Sequence, residues 1–257
     1  MEMFTNISVK LSNDPAVNGD LTAVVESAIG EYEKLFTMLP PAGVRPIQVQ
    51  YDPAKGPLID STSNTDIYNI LLTVNGRFYN QVVYQLAHEL CHITADPRRS
   101  NWFTESCCEL ASLIVLDKLS MVWDIEPPFI NWKSYAPTFK QYAQKHIEEM
   151  TKVEFQDSRL PDMKRLRTWL FTKADSFKSI PNDRPRNTII ALIMRPVFKE
   201  INNCWDTISF LGQASVNTPT SLKDLNGNSD IDFDKWEKVV PEQLKDAVHK
   251  MRMFINS

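Results

Sequence analysis

The stretch that most constrains this 257-residue chain is Leu86-Ala87-His88-Glu89-Leu90-Cys91-His92. A His-Glu-x-x-His spacing has chemical meaning only on a helix, where residues four apart stand on one face, one turn above each other. There His88 and His92 can turn two imidazoles towards one metal ion, and Glu89 leans over the same point. The flanking pattern predicts a helix over about residues 78–94. Phe78, Val82, Val83, Leu86, Ala87, Leu90 and Cys91 form its apolar stripe. Gln81, Gln85, His88 and His92 form a separate polar stripe, and Asp96-Pro97 ends the helix.

Two imidazoles do not complete a metal site. Past a loop carrying Arg98 and Arg99, Trp102-Phe103-Thr104-Glu105-Ser106-Cys107-Cys108-Glu109 opens a second helix, expected over about 103–119. Glu105 and Glu109 share one of its faces. The two compete for the third-ligand role; Glu105 is favoured for it, with Glu109 as the carboxylate that accepts the free N–H of a ligating imidazole and fixes its tautomer. Two imidazoles, a carboxylate and an open position for water make the donor set of a hydrolytic centre with one Zn2+. The plain alternatives are two packed or solvated histidines at a chance spacing, and a solvated acidic edge. The polar stripe of an amphipathic helix, the strand before it and the aromatic-led Glu helix after it favour the metal. Cys91, Cys107 and Cys108 are read as packing between the two helices, with a Cys ligand as the lesser alternative.

The rest of the chain supplies a frame. Ile7, Val9 and Leu11 alternate as a strand, as do Ile47, Val49 and Tyr51; Leu58-Ile59 and Ile67 to Val74 are further strands. Asp20 is expected to cap a helix running to about Met38, stopped by Pro40-Pro41. After Ser120 no convincing strand follows, and helices are expected near 138–150, 162–178, 187–211 with a kink at Pro196, and 233–255 with a break at Pro241. The division expected is an α/β lobe over 1–120 and a helical lobe over 121–257, with the metal cleft between them.

Composition narrows the function classes. The net charge of −4, with no Lys/Arg cluster that stands out in the linear sequence, argues against nucleic acid. The longest apolar run, Ile189 to Met194, is too short to span a bilayer, so no membrane partner is expected. Four cysteines without a Cys-x-x-Cys pair, behind an N-terminus with no basic-then-apolar leader, point to reduced thiols and a cytoplasmic protein. Asp224 to Asp232 has the look of a calcium loop, but Ser229 stands where glycine is needed and Lys235 where a bidentate Glu is needed. It is read as a polar turn before a helix.

The set His88-Glu89-Leu90-Cys91-His92 with Trp102-Phe103-Thr104-Glu105-x-x-x-Glu109-Leu110-Ala111 resembles the gluzincin group of zinc metallopeptidases, which includes thermolysin-like enzymes and zinc aminopeptidases. In that group the third ligand is a Glu, commonly in a helix opened by an aromatic residue. An acidic side chain one turn later supports the ligands in the thermolysin-like members. The resemblance covers about residues 67–117. It implies a zincin-like α+β fold, with an N-terminal mixed sheet under the active-site helix and a mostly helical C-terminal lobe. The chain departs from the pattern in three ways. Twelve residues separate His92 from Glu105, Ser106 replaces a frequent glycine, and no aminopeptidase recognition motif is present.

The implied activity is hydrolysis of a peptide or protein substrate. Glu89 acts as general base, taking a proton from a metal-activated water and passing it to the leaving amine. A second donor normally stabilises the oxyanion, and Tyr135, Tyr142 and His146 are the candidates, each weighed against an ordinary packing or surface role. Arg184 and Arg186 are candidates for binding a substrate carboxylate, against solvated loop charges. Two rival functions stand beside the peptidase. One is a catalytically inactive zincin-like scaffold that acts as a binding protein. The other is a zinc-free helical interaction protein in which the motif is fortuitous.

Overall fold

Alternating apolar residues near the N-terminus become strands, and the long 3.6-period runs become helices. In the computed structural model the described residues are 2–41, 45–60, 66–96, 100–157, 160–177, 182–201, 203–216 and 230–256. The Arg98-Arg99 loop and the stretch 224–229 of the calcium-like loop lie outside them. The protein is mixed α/β and mostly helical, with a small mixed sheet and nine α-helices among the described residues. It divides into two compact units, Met1–Ile93 with Ala111–Gln144, and Thr94–Leu110 with Lys145–Ser257.

The first unit holds the sheet. Strands β1 (Phe4–Lys10), β2 (Arg45–Tyr51), β3 (Leu58–Asp60) and β4 (Tyr68–Leu72) lie in the order β1-β2-β4-β3. β1, β2 and β4 are parallel, and β3 pairs antiparallel with β4. β4 is flanked on both sides and buried at all five positions, Asn69 included, as expected for a central strand of the sheet. Helix α1 (Pro15–Glu33) is tied to both ends of β1. Glu33 Oε1 accepts from the N–H groups of Met3 and Phe4 at 2.7 and 3.0 Å, and Asn18 Oδ1 accepts from Leu11 N–H at 2.9 Å.

The start of α1 differs from the sequence expectation for a clear reason. Asp14, not Asp20, caps it, accepting from the N–H groups of Ala16 and Val17, and Pro15 fills the first turn where no N–H is needed. Asp20 instead binds Arg77 Nε at 2.8 Å. Helix α2 (Tyr79–Ala95) is clamped to the end of β4 by Gln85, whose amide accepts from Thr73 N–H at 3.0 Å and donates to Thr73 Oγ1 at 2.8 Å. Helix α3 (Trp102–Ile125) is joined to α2 by Ser112 Oγ, which donates to the Tyr84 carbonyl at 2.9 Å. At its far end Trp123, fully buried, donates to Ser27 Oγ of α1 and stacks on Trp132.

The second unit is almost entirely helical. Asn101 Oδ1 caps α3 by accepting from the N–H groups of Phe103 and Thr104 at 3.0 and 2.9 Å. Helix α4 (Ala136–Phe155) belongs to this unit from Lys145 on, and α5 (Met163–Phe177) and α6 (Arg184–Glu200) follow. The helix expected over 187–211 is split. α6 ends where Ile201 turns extended and Asn203 takes a positive φ of 61°, then a 3-10 turn over Trp205–Phe210 leads into α7 (Leu211–Ala214). Two-residue strands β5 (Ser215–Val216) and β6 (Asp230–Ile231) pair antiparallel, and α8 (Phe233–Val239) and α9 (Lys245–Asn256) close the chain. Trp102 Nε1 donates to Asp230 Oδ1 at 2.8 Å, and Phe103 packs edge-on against Phe233 and Trp236.

The end of α2 is locked by a close approach. Asp96 leaves the helix with φ +86°, and Gly212 of α7 sits so near that a Cβ there would fall 2.3 Å from Asp96 Cβ and 2.9 Å from the Ala95 carbonyl oxygen. Only glycine fits without displacing backbone. Gly212→Ala is therefore expected to destabilise the protein by about 1–3 kcal/mol, read from the midpoint of urea unfolding. Asp96→Gly in the same background should return part of that loss, because it removes the nearest atom and favours the positive φ.

Candidate metal centre

The motif falls on the last two turns of α2, as its spacing requires. His88 Nε2 and His92 Nε2 lie 3.2 Å apart, with ring centroids 5.0 Å apart and planes at 63°. Two nitrogens bound tetrahedrally to one ion, at bonds of about 2.0–2.1 Å, stand about 3.3 Å apart. The pair is thus spaced as two ligands of one metal would be. Both rings are half-buried, and the C-terminal end of a helix favours positive charge. Glu89, one residue on from His88, is buried.

Among the described residues, a third donor that the structure brings to this pair is a thiol. Ligand atoms of His88, His92 and Cys108 all lie within 4.8 Å of one another, and these three can hold a metal ion. Cys108 is fully buried on α3. The set fits a borderline-soft cation, since imidazole and thiolate are the donors zinc takes in protein sites. Cys108 stands three residues after Glu105, on the same side of the helix. That i, i+3 relation is the sign in the sequence for the Cys ligand that stands there as the lesser alternative to packing.

The two acidic candidates have their own surroundings. Glu105 is buried in the first turn of α3, at the positive end of the helix dipole, which favours a carboxylate. It accepts a hydrogen bond from Ser100 Oγ. Glu109, one turn later and almost fully buried, has His146 Nε2 2.8 Å and Thr188 Oγ1 3.1 Å from its Oε1. His146 of α4 is itself buried. The three candidates for oxyanion stabilisation therefore sit in different places. His146 faces Glu109, the Tyr135 ring packs on Tyr79 and Phe139, and Tyr142 meets Tyr84 edge-on at 5.9 Å. Arg186 is engaged by Glu154 and Asp183 at 3.3 and 3.2 Å, and Arg184 opens α6 on the surface.

All four cysteines are free and buried. Burial pushes the Cys204 thiol far above its ordinary range, so it remains protonated. No helix among the described residues is long and apolar enough to cross a membrane. No protein-family model, no curated protein and no solved structure matches this chain.

The geometry sets Cys108 against Glu105 as the third ligand, and cobalt substitution separates them. If the thiolate binds, the cobalt(II)-loaded protein shows an intense near-ultraviolet sulfur-to-metal band. Cys108→Ser should remove that band and Glu105→Gln should keep it. The reverse pattern, with no band in the parent protein and metal lost in Glu105→Gln, would assign the position to the carboxylate.

Proposed function

We propose that this chain is a zinc-dependent metallopeptidase of gluzincin type, hydrolysing a peptide or protein substrate. The observation that carries the reading is the His88–His92 pair, 3.2 Å apart at Nε2 on one face of α2, with the buried Glu89 beside it. His88 and His92 would hold the ion, with Glu105 as the third ligand by the family resemblance or Cys108 by its proximity. A zinc ion there supplies a Lewis acid for the scissile carbonyl and makes water acidic enough to react near neutral pH.

The chain's own residues do the rest. Glu89 is a carboxylate shielded from bulk solvent, and it accepts the proton of the attacking water and delivers it to the leaving amine nitrogen. Its shielding keeps that proton from exchanging with solvent before the amine departs. Glu109, held with His146 and Thr188, fixes the face of α3 that carries Glu105 and Cys108. Four buried free thiols fit a reducing compartment, which supports a cytoplasmic location.

A second reading has its own support. A fully buried Cys108 beside two imidazoles is the donor chemistry of a closed, structural zinc site, which suits an inactive zincin-like scaffold that binds rather than cuts. Turnover of a quenched-fluorescent peptide library separates the two. Glu89→Gln should keep about one zinc per chain and lose about 10²–10⁴-fold in rate. His88→Ala and His92→Ala should lose both zinc and turnover. Zinc without turnover in the parent protein would favour the scaffold, and full zinc in both histidine variants would remove the site altogether.

A further inference from the structure

We propose that the outward face of α5 is a docking site for an acidic peptide segment of a partner protein. The helix carries Lys164, Arg165, Arg167 and Lys173 against a single acidic residue, Asp175, in a chain whose net charge is −4. Lys164, Arg165 and Arg167 fall within four residues, Lys164 on the outward side and the two arginines flanking it, whereas Lys173 lies about half a turn round from Lys164. Leu166, Trp169 and Leu170 are buried, so the opposite side looks outward.

The charge on that side is only partly neutralised. Arg165 pairs with Asp157 at 2.8 Å and lies over the Phe155 ring. Arg167 lies over the Phe254 ring at 4.2 Å, and its Nε is buried with no hydrogen-bond partner among the described residues. Lys164 has no carboxylate partner among them. Phe171, 62% exposed, stands one turn beyond Arg167 as an apolar anchor.

The relief suits a linear segment. Lys164, Thr168 and Thr172 form a ridge between two open depressions, of about 400 Å³ on the Trp169 side and about 540 Å³ on the Phe171 side. Fifteen helical residues span roughly 22 Å, the length of about six or seven extended residues. Alternate side chains of such a segment can enter a depression while carboxylates meet Lys164 and Arg167 and the threonine hydroxyls meet its backbone.

Other occupants fit less well. A membrane surface wants an apolar face, and that of α5 is turned inward, leaving Phe171 alone to insert. A long polyanion would extend past this one helix onto a chain of net negative charge. A second copy docking face to face would set like charges against each other.

The test is fluorescence anisotropy on the full chain with a fluorescein-labelled peptide of about ten residues, Glu at alternate positions around a central Leu. It should bind, and binding should weaken as salt rises. Lys164→Glu and Thr168→Glu both place a carboxylate on the exposed ridge, and each should weaken binding by about three- to tenfold with an unchanged circular dichroism spectrum. Lys238→Glu on α8 should leave it unchanged. The proposal is overturned if the same peptide with Lys for Glu binds equally well, or if both ridge variants bind like the parent. It is also overturned if single-stranded oligothymidine or phosphatidylserine vesicles bind more tightly than the acidic peptide.

Discussion

Burying a carboxylate is costly unless something nearby compensates its lost hydration. This chain buries three within about twenty residues, Glu89, Glu105 and Glu109. Much of the local structure answers that constraint. Ser100 and the first turn of α3 serve Glu105, and His146 and Thr188, brought in from α4 and α6, serve Glu109. A core built only for stability would place leucines at such positions. Retaining ionisable groups there instead is what marks this region as a candidate site.

The parts of the fold legible in the sequence are those governed by local periodicity. The helix expected over 78–94 is found at Tyr79–Ala95, and the four strands of the sheet fall on the alternating or apolar runs that announced them. The errors come where a nonlocal partner takes a residue away from its local role. Asp20 has the look of a cap but belongs to Arg77, and the true cap, Asp14, was marked by the proline that follows it. The long helix expected up to residue 211 ends at Glu200, because the chain there takes conformations, extended at Ile201 and left-handed at Asn203, that hydrophobic spacing does not encode.

The candidate metal centre was legible to the same degree. Two ligands four residues apart on one helix can be read from spacing alone. A third donor on another helix depends on how the two helices are turned, and a sequence offers Glu105, Cys108 and Glu109 on nearly the same side of α3. Side-chain chemistry favoured the carboxylates, whereas the structure brings the thiol to the histidines. Three basic residues of α5 stand together in the chain at 164–167, but which of them look outward depends on the face that Leu166, Trp169 and Leu170 bury.

The side chains of α1 that tie down β1 have a consequence for how this protein behaves in a crowded solution. β1 is an edge strand, and an exposed edge is a template on which another chain can add. Here Glu33 occupies the amides of Met3 and Phe4 at one end, while Asn18 takes the amides of Leu11 and Ser12 and donates to the Val9 carbonyl at the other. Between them the pairing with β2 slips at Thr5 to Ser8, where Asn6 adopts φ +49°. An incoming strand would find both ends of the edge already bonded and its middle bent out of register, so the sheet is closed to growth on that side.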